Sequence, residues 1–122
     1  MLFALLCYGS EAASADEATV RAVIGRHKVT ENCLAAEGQL GPNLRLMPTT
    51  AAVTVRSGTK LSVLDGPFSE TKEVLLGLWI FDCKNLDEAI GLAQEFASHQ
   101  AGGALELRPI CEYDPGVLTG DR

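Results

Sequence analysis

The chain has 122 residues and a mass of 13.0 kDa, enough for one hydrophobic core and too few for two. Its 47% hydrophobic and 21% charged residues describe a soluble globular domain that needs no disulfide or metal to fold. Sixteen Asp and Glu against ten Lys and Arg give a formal charge of −6, which excludes a broad basic face, so neither nucleic acid nor an anionic membrane is an expected partner.

Leu2 to Tyr8 is a nearly continuous apolar run closed by Gly9-Ser10, the pattern of a strand buried on both faces or nearly so. The apolar start ending in Cys7 imitates a secretion or lipoprotein signal, but it lacks a basic leader and is too short, so a strand is expected. Ser14 followed by Glu17 forms a capping box, and Val20, Val23, Ile24, His27, Glu31 and Leu34 recur at helical spacing until Gly38, predicting a helix over 15–37. Gly41-Pro42 and Met47-Pro48 bracket a short irregular or strand-like piece. Residues 51–56 and 60–65 then read as a hairpin around Ser57-Gly58-Thr59.

Asp65-Gly66-Pro67-Phe68 breaks the strand pattern with two turn residues, and Phe68 is expected to anchor that turn in the core. Val74 to Phe81 is apolar enough for a central strand, with Gly77 marking a bulge or a close backbone approach. Asn85 and Glu88 form a second capping box, followed by a stripe of Leu86, Ile90, Ala93 and Phe96 or Ala97 that predicts a helix to about Ser98. Ala104 to Glu112 gives a last strand, placed at an edge by Pro109, which cannot donate to a ladder. The order β α β β β α β predicts an α+β, ferredoxin-like antiparallel sheet with two helices on one face, over 1–112, followed by a tail at 113–122. The other face, with Trp79, Leu105 and Leu107 assigned to it, is too apolar for water, so a homodimer through the open sheet face is expected.

Cys7, Cys33, Cys83 and Cys111 form no C-x-x-C and have no His beside them at ligand spacing, so no zinc site is expected. Each lies in an apolar context where a free thiol acts as a small buried hydrophobe, which fits a reducing, cytoplasmic setting. Nucleotide-binding, acyl-serine and zincin motifs are absent from the sequence. Neither a metal nor a cofactor is expected.

The stretch Asp65-Gly66-Pro67-Phe68-Ser69-Glu70-Thr71-Lys72-Glu73 resembles the naming motif of the DGPF subgroup of the YCII-related proteins, and the likeness runs to Glu106-Leu107-Arg108-Pro109-Ile110. The resemblance implies a dimeric α+β barrel with a ferredoxin-like subunit, agreeing with the fold read from periodicity. It also implies a pocket lined by a His of the first helix and an Asp of the strand region, here His27 and Asp65, as a proton-transfer pair.

The residues themselves leave two readings of His27. On the stripe of Val20, Val23, Ile24 and Leu34 its ring points toward the sheet, where a nearby carboxylate would fix its tautomer for acid–base work, or it is a satisfied core histidine. Asp65 serves the pocket, an Asx-turn of its own, or both. Lys72 and Glu73 are ligand-binding candidates at a cleft rim, against the simpler reading of a solvated charged face. His99 is a further ligand candidate, against a helix-end histidine that favours the helix dipole. Two functions follow: a small pocket protein with enzyme-like acid–base chemistry on a small molecule, or a noncatalytic binding or regulatory module of the kind the resemblance associates with extracytoplasmic-function sigma factors.

Overall fold

The computed structural model describes residues 1–12 and 16–121. Its elements are β1 (Leu2–Gly9), α1 (Glu17–Ala36), β2 (Leu40–Arg45), a 3₁₀ turn (Thr49–Ala51), β3 (Val53–Arg56), β4 (Ser62–Asp65), β5 (Val74–Asp82), α2 (Leu86–Ser98) and β6 (Ala104–Pro109). The order holds one strand more than the sequence pattern counted, because 40–45 is a full strand and the hairpin adds two others.

Four strands form an antiparallel sheet in the order β2-β5-β1-β6, while β3 and β4 pair only with each other. This is the expected α+β plan, with two helices over one face of a four-stranded antiparallel sheet. Pro109 ends β6 at a sheet edge, where a missing N–H costs no ladder bond.

Side-chain alternation on β1 makes the core. Phe3, Leu5 and Cys7 are buried, and their cross-strand partners on β5 are Phe81, Trp79 and Gly77. Phe96 of α2 is fully buried and stacks on Trp79, ring centroids 4.4 Å apart, while Leu34 of α1 joins the same cluster. Aromatic stacking of this kind adds about 0.5–1.5 kcal/mol beyond the area it buries.

The alternation also corrects the predicted faces. Trp79 is in register with Leu5, and Leu105 and Leu107 with Cys7 and Leu5, so all three lie on the helix-covered face. The face without helices carries Ala4, Leu6, Leu78 and Ile80, in register with one another, and Leu44 beside Leu78. A period of two fixes which residues share a face, and only the packed helices decide which face is inside.

Gly77 meets both predictions made for it. The β1–β5 register shifts between Cys7 and Tyr8, opposite this stretch, and a Cβ on Gly77 would lie 2.3 Å from the Leu44 carbonyl oxygen. Any side chain there would push β2 off the sheet.

Helix ends follow the expected chemistry with one change. Ser14 and Ala15, the predicted cap and first helical residue, lie outside the described residues; the cap seen is Asp16, whose carboxylate accepts the Ala18 N–H at 3.1 Å. Asn85 caps α2 by accepting the Glu88 N–H at 2.9 Å. The α2 stripe is rotated from the predicted one: Ala89 and Phe96 are buried, with Leu92 and Ala93 packed against the core, whereas Leu86 and Ile90 are 50% and 41% exposed. Three- and four-residue spacings allow both stripes, and contact with Trp79 selects the one containing Phe96.

Residues 46–73 leave the sheet as an arm between the end of β2 and the start of β5. Glu11 holds its root, accepting the Thr49 N–H at 2.8 Å, and the Gly66 N–H to Ala52 carbonyl bond (2.7 Å) closes the hairpin base. Val55, Val63 and Phe68 on the arm are 65%, 68% and 76% exposed. Phe68 is therefore not the core anchor predicted for it: it stays exposed, as do Val53, Val55 and Val63 on the same arm. Asp65, expected to bond its own turn, makes no side-chain hydrogen bond or ion pair among the described residues; Thr54 Oγ1 instead donates to the Gly66 carbonyl at 2.8 Å. Gly66 at φ +96° adopts a backbone that L side chains avoid.

Two cysteines behave as predicted and two do not. Cys7 and Cys83 are buried, Cys33 and Cys111 are exposed, and all four are free.

Candidate functional site

The N-terminal half of the α1 stripe does not close onto the sheet. Val20, Val23 and Ile24, predicted as packing residues, instead line a cavity of about 600 Å³ between α1, the strands at the β2–β5 seam, and the turn after α2. Arg45 and Glu73, both exposed, also line it, at the points where the arm departs and returns. The volume lies within the range of small-molecule sites, and its wall is largely apolar with a few polar groups.

His27 is the most enclosed polar residue of that wall, 7% exposed. Its ring packs edge-on against Trp79 at 5.0 Å between centroids and also meets Phe96 at 5.6 Å and His99 at 5.4 Å. Nε2 lies 3.1 Å from Gln100 Oε1, whereas Nδ1 is buried with no hydrogen-bond partner. Burial pushes the imidazole below its ordinary value; the bond to Gln100 opposes this, His99 adds to it, the Glu31 carboxylate opposes it, and Arg26 adds a little more. His27 is consequently neutral at neutral pH.

Glu31, one helical turn on from His27, is the carboxylate of the wall nearest to it in sequence. Its Oε2 accepts the Trp79 indole N–H at 3.2 Å, and Lys28 Nζ stands 4.0 Å from Oε1. The bond satisfies the indole N–H and fixes the Trp79 ring as part of the cavity wall.

The second half of the support comes from the α2 C-terminus. His99 caps α2, its Nε2 lies 2.7 Å from Thr30 Oγ1, and its carbonyl accepts from Arg26 Nε and Nη2 at 3.0 and 2.7 Å. These contacts fasten the turn carrying Gln100 to α1 at the level of His27. Cys7, on the opposite wall, has its thiol raised by burial and so acts as a neutral group.

The predicted site residues are thus distributed unevenly. His27 and Glu73 line the cavity, and His99, outside its wall, packs edge-on against His27. Lys72 is exposed and is not part of the wall. Asp65 pairs with Val53 in the arm, exposed, and makes no hydrogen bond to His27 within the chain. Glu31, Gln100 and Trp79 complete the wall instead. The α1 spacing already placed Glu31 on the His27 stripe, so it was readable as a carboxylate partner, but no local signal marked Gln100, which meets His27 from 73 residues away. No group of three or more His, Cys, Asp or Glu among the described residues is arranged to hold a metal ion. No helix among them is long and apolar enough to cross a membrane.

Comparison with known proteins agrees with this architecture. Residues 1–114 match the model of the YCII-related domain. An uncharacterised protein of Rhizobium meliloti (strain 1021) is 40% identical over 126 aligned positions, which span 97% of this chain and 98% of that protein.

Proposed function

The chain belongs to the YCII-related family, and from that premise we propose a small-molecule pocket protein with enzyme-like acid–base chemistry centred on His27. One observation carries the reading: a 600 Å³ cavity holds in its wall a nearly sealed histidine with an unpaired ring nitrogen. A histidine serving only the core has its nitrogens satisfied, because a buried polar atom without a partner costs about 1–3 kcal/mol. Asp65-Gly66-Pro67-Phe68 supports membership of the DGPF subgroup. In this proposal Glu31 supplies the carboxylate near His27 within one chain, and Asp65 enters only through an arm packed against a second copy.

A homodimer through the open sheet face belongs to the same proposal. Leu44 on that face is 49% exposed and the arm's valines more so, which together make an apolar surface of the kind that marks an interface.

Trp79 is the only tryptophan, so its emission reports the cavity directly. A panel of small carbonyl and carboxylate compounds is titrated against the full chain, and those that quench Trp79 are followed for turnover. For a compound turned over, His27→Gln is expected to lower the rate about 10²-fold while leaving the circular dichroism spectrum unchanged. Turnover that survives the substitution, or a panel that leaves Trp79 emission untouched, contradicts the proposal.

A further inference from the structure

The hydrogen bonds around Gln100 determine which nitrogen of His27 carries the proton. The Gly102 carbonyl can only accept, and Gln100 Nε2 stands 3.1 Å from it. The amide nitrogen of Gln100 therefore faces Gly102, which turns Oε1 toward His27 Nε2 at 3.1 Å. Reversing the amide would set two carbonyl oxygens against each other. The Cys7 thiol, 3.8 Å from both ends of the amide, can donate to one or accept from the other and so does not decide the orientation. An amide oxygen only accepts, so the hydrogen lies on His27 Nε2.

The other nitrogen supports the same assignment. Nδ1 is buried and has no partner. A proton placed there would be an N–H without an acceptor and would charge a ring enclosed by Trp79 and Phe96. The groups facing the ring are mixed in charge: Glu31 favours the imidazolium, while His99 and Arg26 oppose it. Gln100 brings no negative charge to offset it.

We infer that Gln100 is a positioning residue that fixes His27 as the neutral Nε2–H tautomer, so that its one N–H is taken up by Gln100 and Nδ1 is left as a bare hydrogen-bond and proton acceptor. This assignment rests on the pocket reading and sharpens it. An imidazole paired with a carboxylate is primed to take up a proton; one held by a neutral amide donates its N–H and stays uncharged. At rest His27 is then uncharged, and Nδ1 carries its one free lone pair.

Nitrogen-15 NMR of the histidine-labelled full chain tests this without any ligand. Only two histidines are present, and His27→Gln assigns them. At pH 7.5 the expected spectrum has His27 Nε2 with the shift of a protonated nitrogen and Nδ1 with that of a bare, pyridine-like one. Gln100→Leu is expected to draw the two shifts together as the tautomers mix. Gln100→Glu, which keeps an acceptor oxygen and adds a charge, is expected to preserve the Nε2–H signature and to raise the pH at which His27 titrates. A protonated Nδ1 in the unsubstituted protein overturns the inference, as do a signature and a titration left unchanged by both substitutions. Should Gln100→Leu fail to fold, the unsubstituted spectrum and Gln100→Glu decide the question. A cavity that binds nothing would sink the pocket reading and leave this spectrum as it is, so the two fail separately.

Discussion

The central sheet and the β3–β4 arm are built from similar residues and end in opposite environments. On β1, Phe3 and Leu5 are fully buried, whereas on the arm Val55 and Val63, paired across the hairpin, remain 65% and 68% exposed. Strand-forming residues secure a ladder in both places, but two strands have no second layer to bury against, while the four-stranded sheet has α1 and α2. Apolar content by itself does not make a core. The cavity lies at the junction of the two regions, where the arm leaves through Arg45 and returns through Glu73.

The largest contrast should appear in folding stability. Phe96→Ala, in the stack with Trp79, is expected to cost about 3–5 kcal/mol. Val63→Asp on the arm should change the stability of the dilute chain by less than ~0.5 kcal/mol. Urea denaturation measures both, and equal losses would mean that the arm is part of the core.

Assembly is the next test. Leu78→Asp on the open face is expected to weaken self-association by roughly thirtyfold, an interface loss of about 2 kcal/mol. Sedimentation across a concentration series should then show the 13.0 kDa species where the unsubstituted chain is dimeric. A chain that is monomeric without any substitution would leave the arm and the open face without the partner proposed for them.

A smaller effect separates the two regions by pH. The folded His27 takes a proton less readily than the unfolded one, so the unfolded state binds more protons, and stability is lost as pH falls below about 6.5. Glu11 at the arm root has its carboxyl lowered by its bonds to Thr49, so its contribution is present above about 4.5 and lost only at lower pH. Between pH 7 and 5 the denaturation midpoint should therefore fall, and His27→Gln should flatten that slope. A slope that persists in the variant would assign the dependence to other groups.

The smallest effect concerns the thiols. Cys33 and Cys111 are exposed, whereas Cys7 and Cys83 are buried, with the Cys83 thiol pushed up to about 11 by burial and by Glu88 and Asp82. A thiol reagent should label two groups quickly in the folded chain and the other two only on unfolding.

Much of this plan was legible in the sequence. The Asn85 cap and the edge position of Pro109 are local signals, and both hold; the apolar run of β1 is a strand as read, but buried on one face only. Phe68 and the stripe through Leu86 and Ile90 misled for a common reason: local apolarity says that a residue prefers burial and not whether anything is available to bury it. His27 was legible as a buried polar residue on a helix stripe. Its partner was not: the family resemblance implies a carboxylate in the arm, while the atom 3.1 Å from Nε2 belongs to a neutral amide beyond α2.

By itself, then, the sequence determined the two helices, the strands other than β2 and the placing of His27 on the inward stripe of α1, because periodicity and capping act over a few residues. The tertiary structure alone decided which sheet face is covered, that the α1 stripe opens into a cavity, and that Gln100 and Glu31 rather than Asp65 stand with His27 in one chain. Those outcomes depend on contacts between distant segments, whose energies no local pattern encodes.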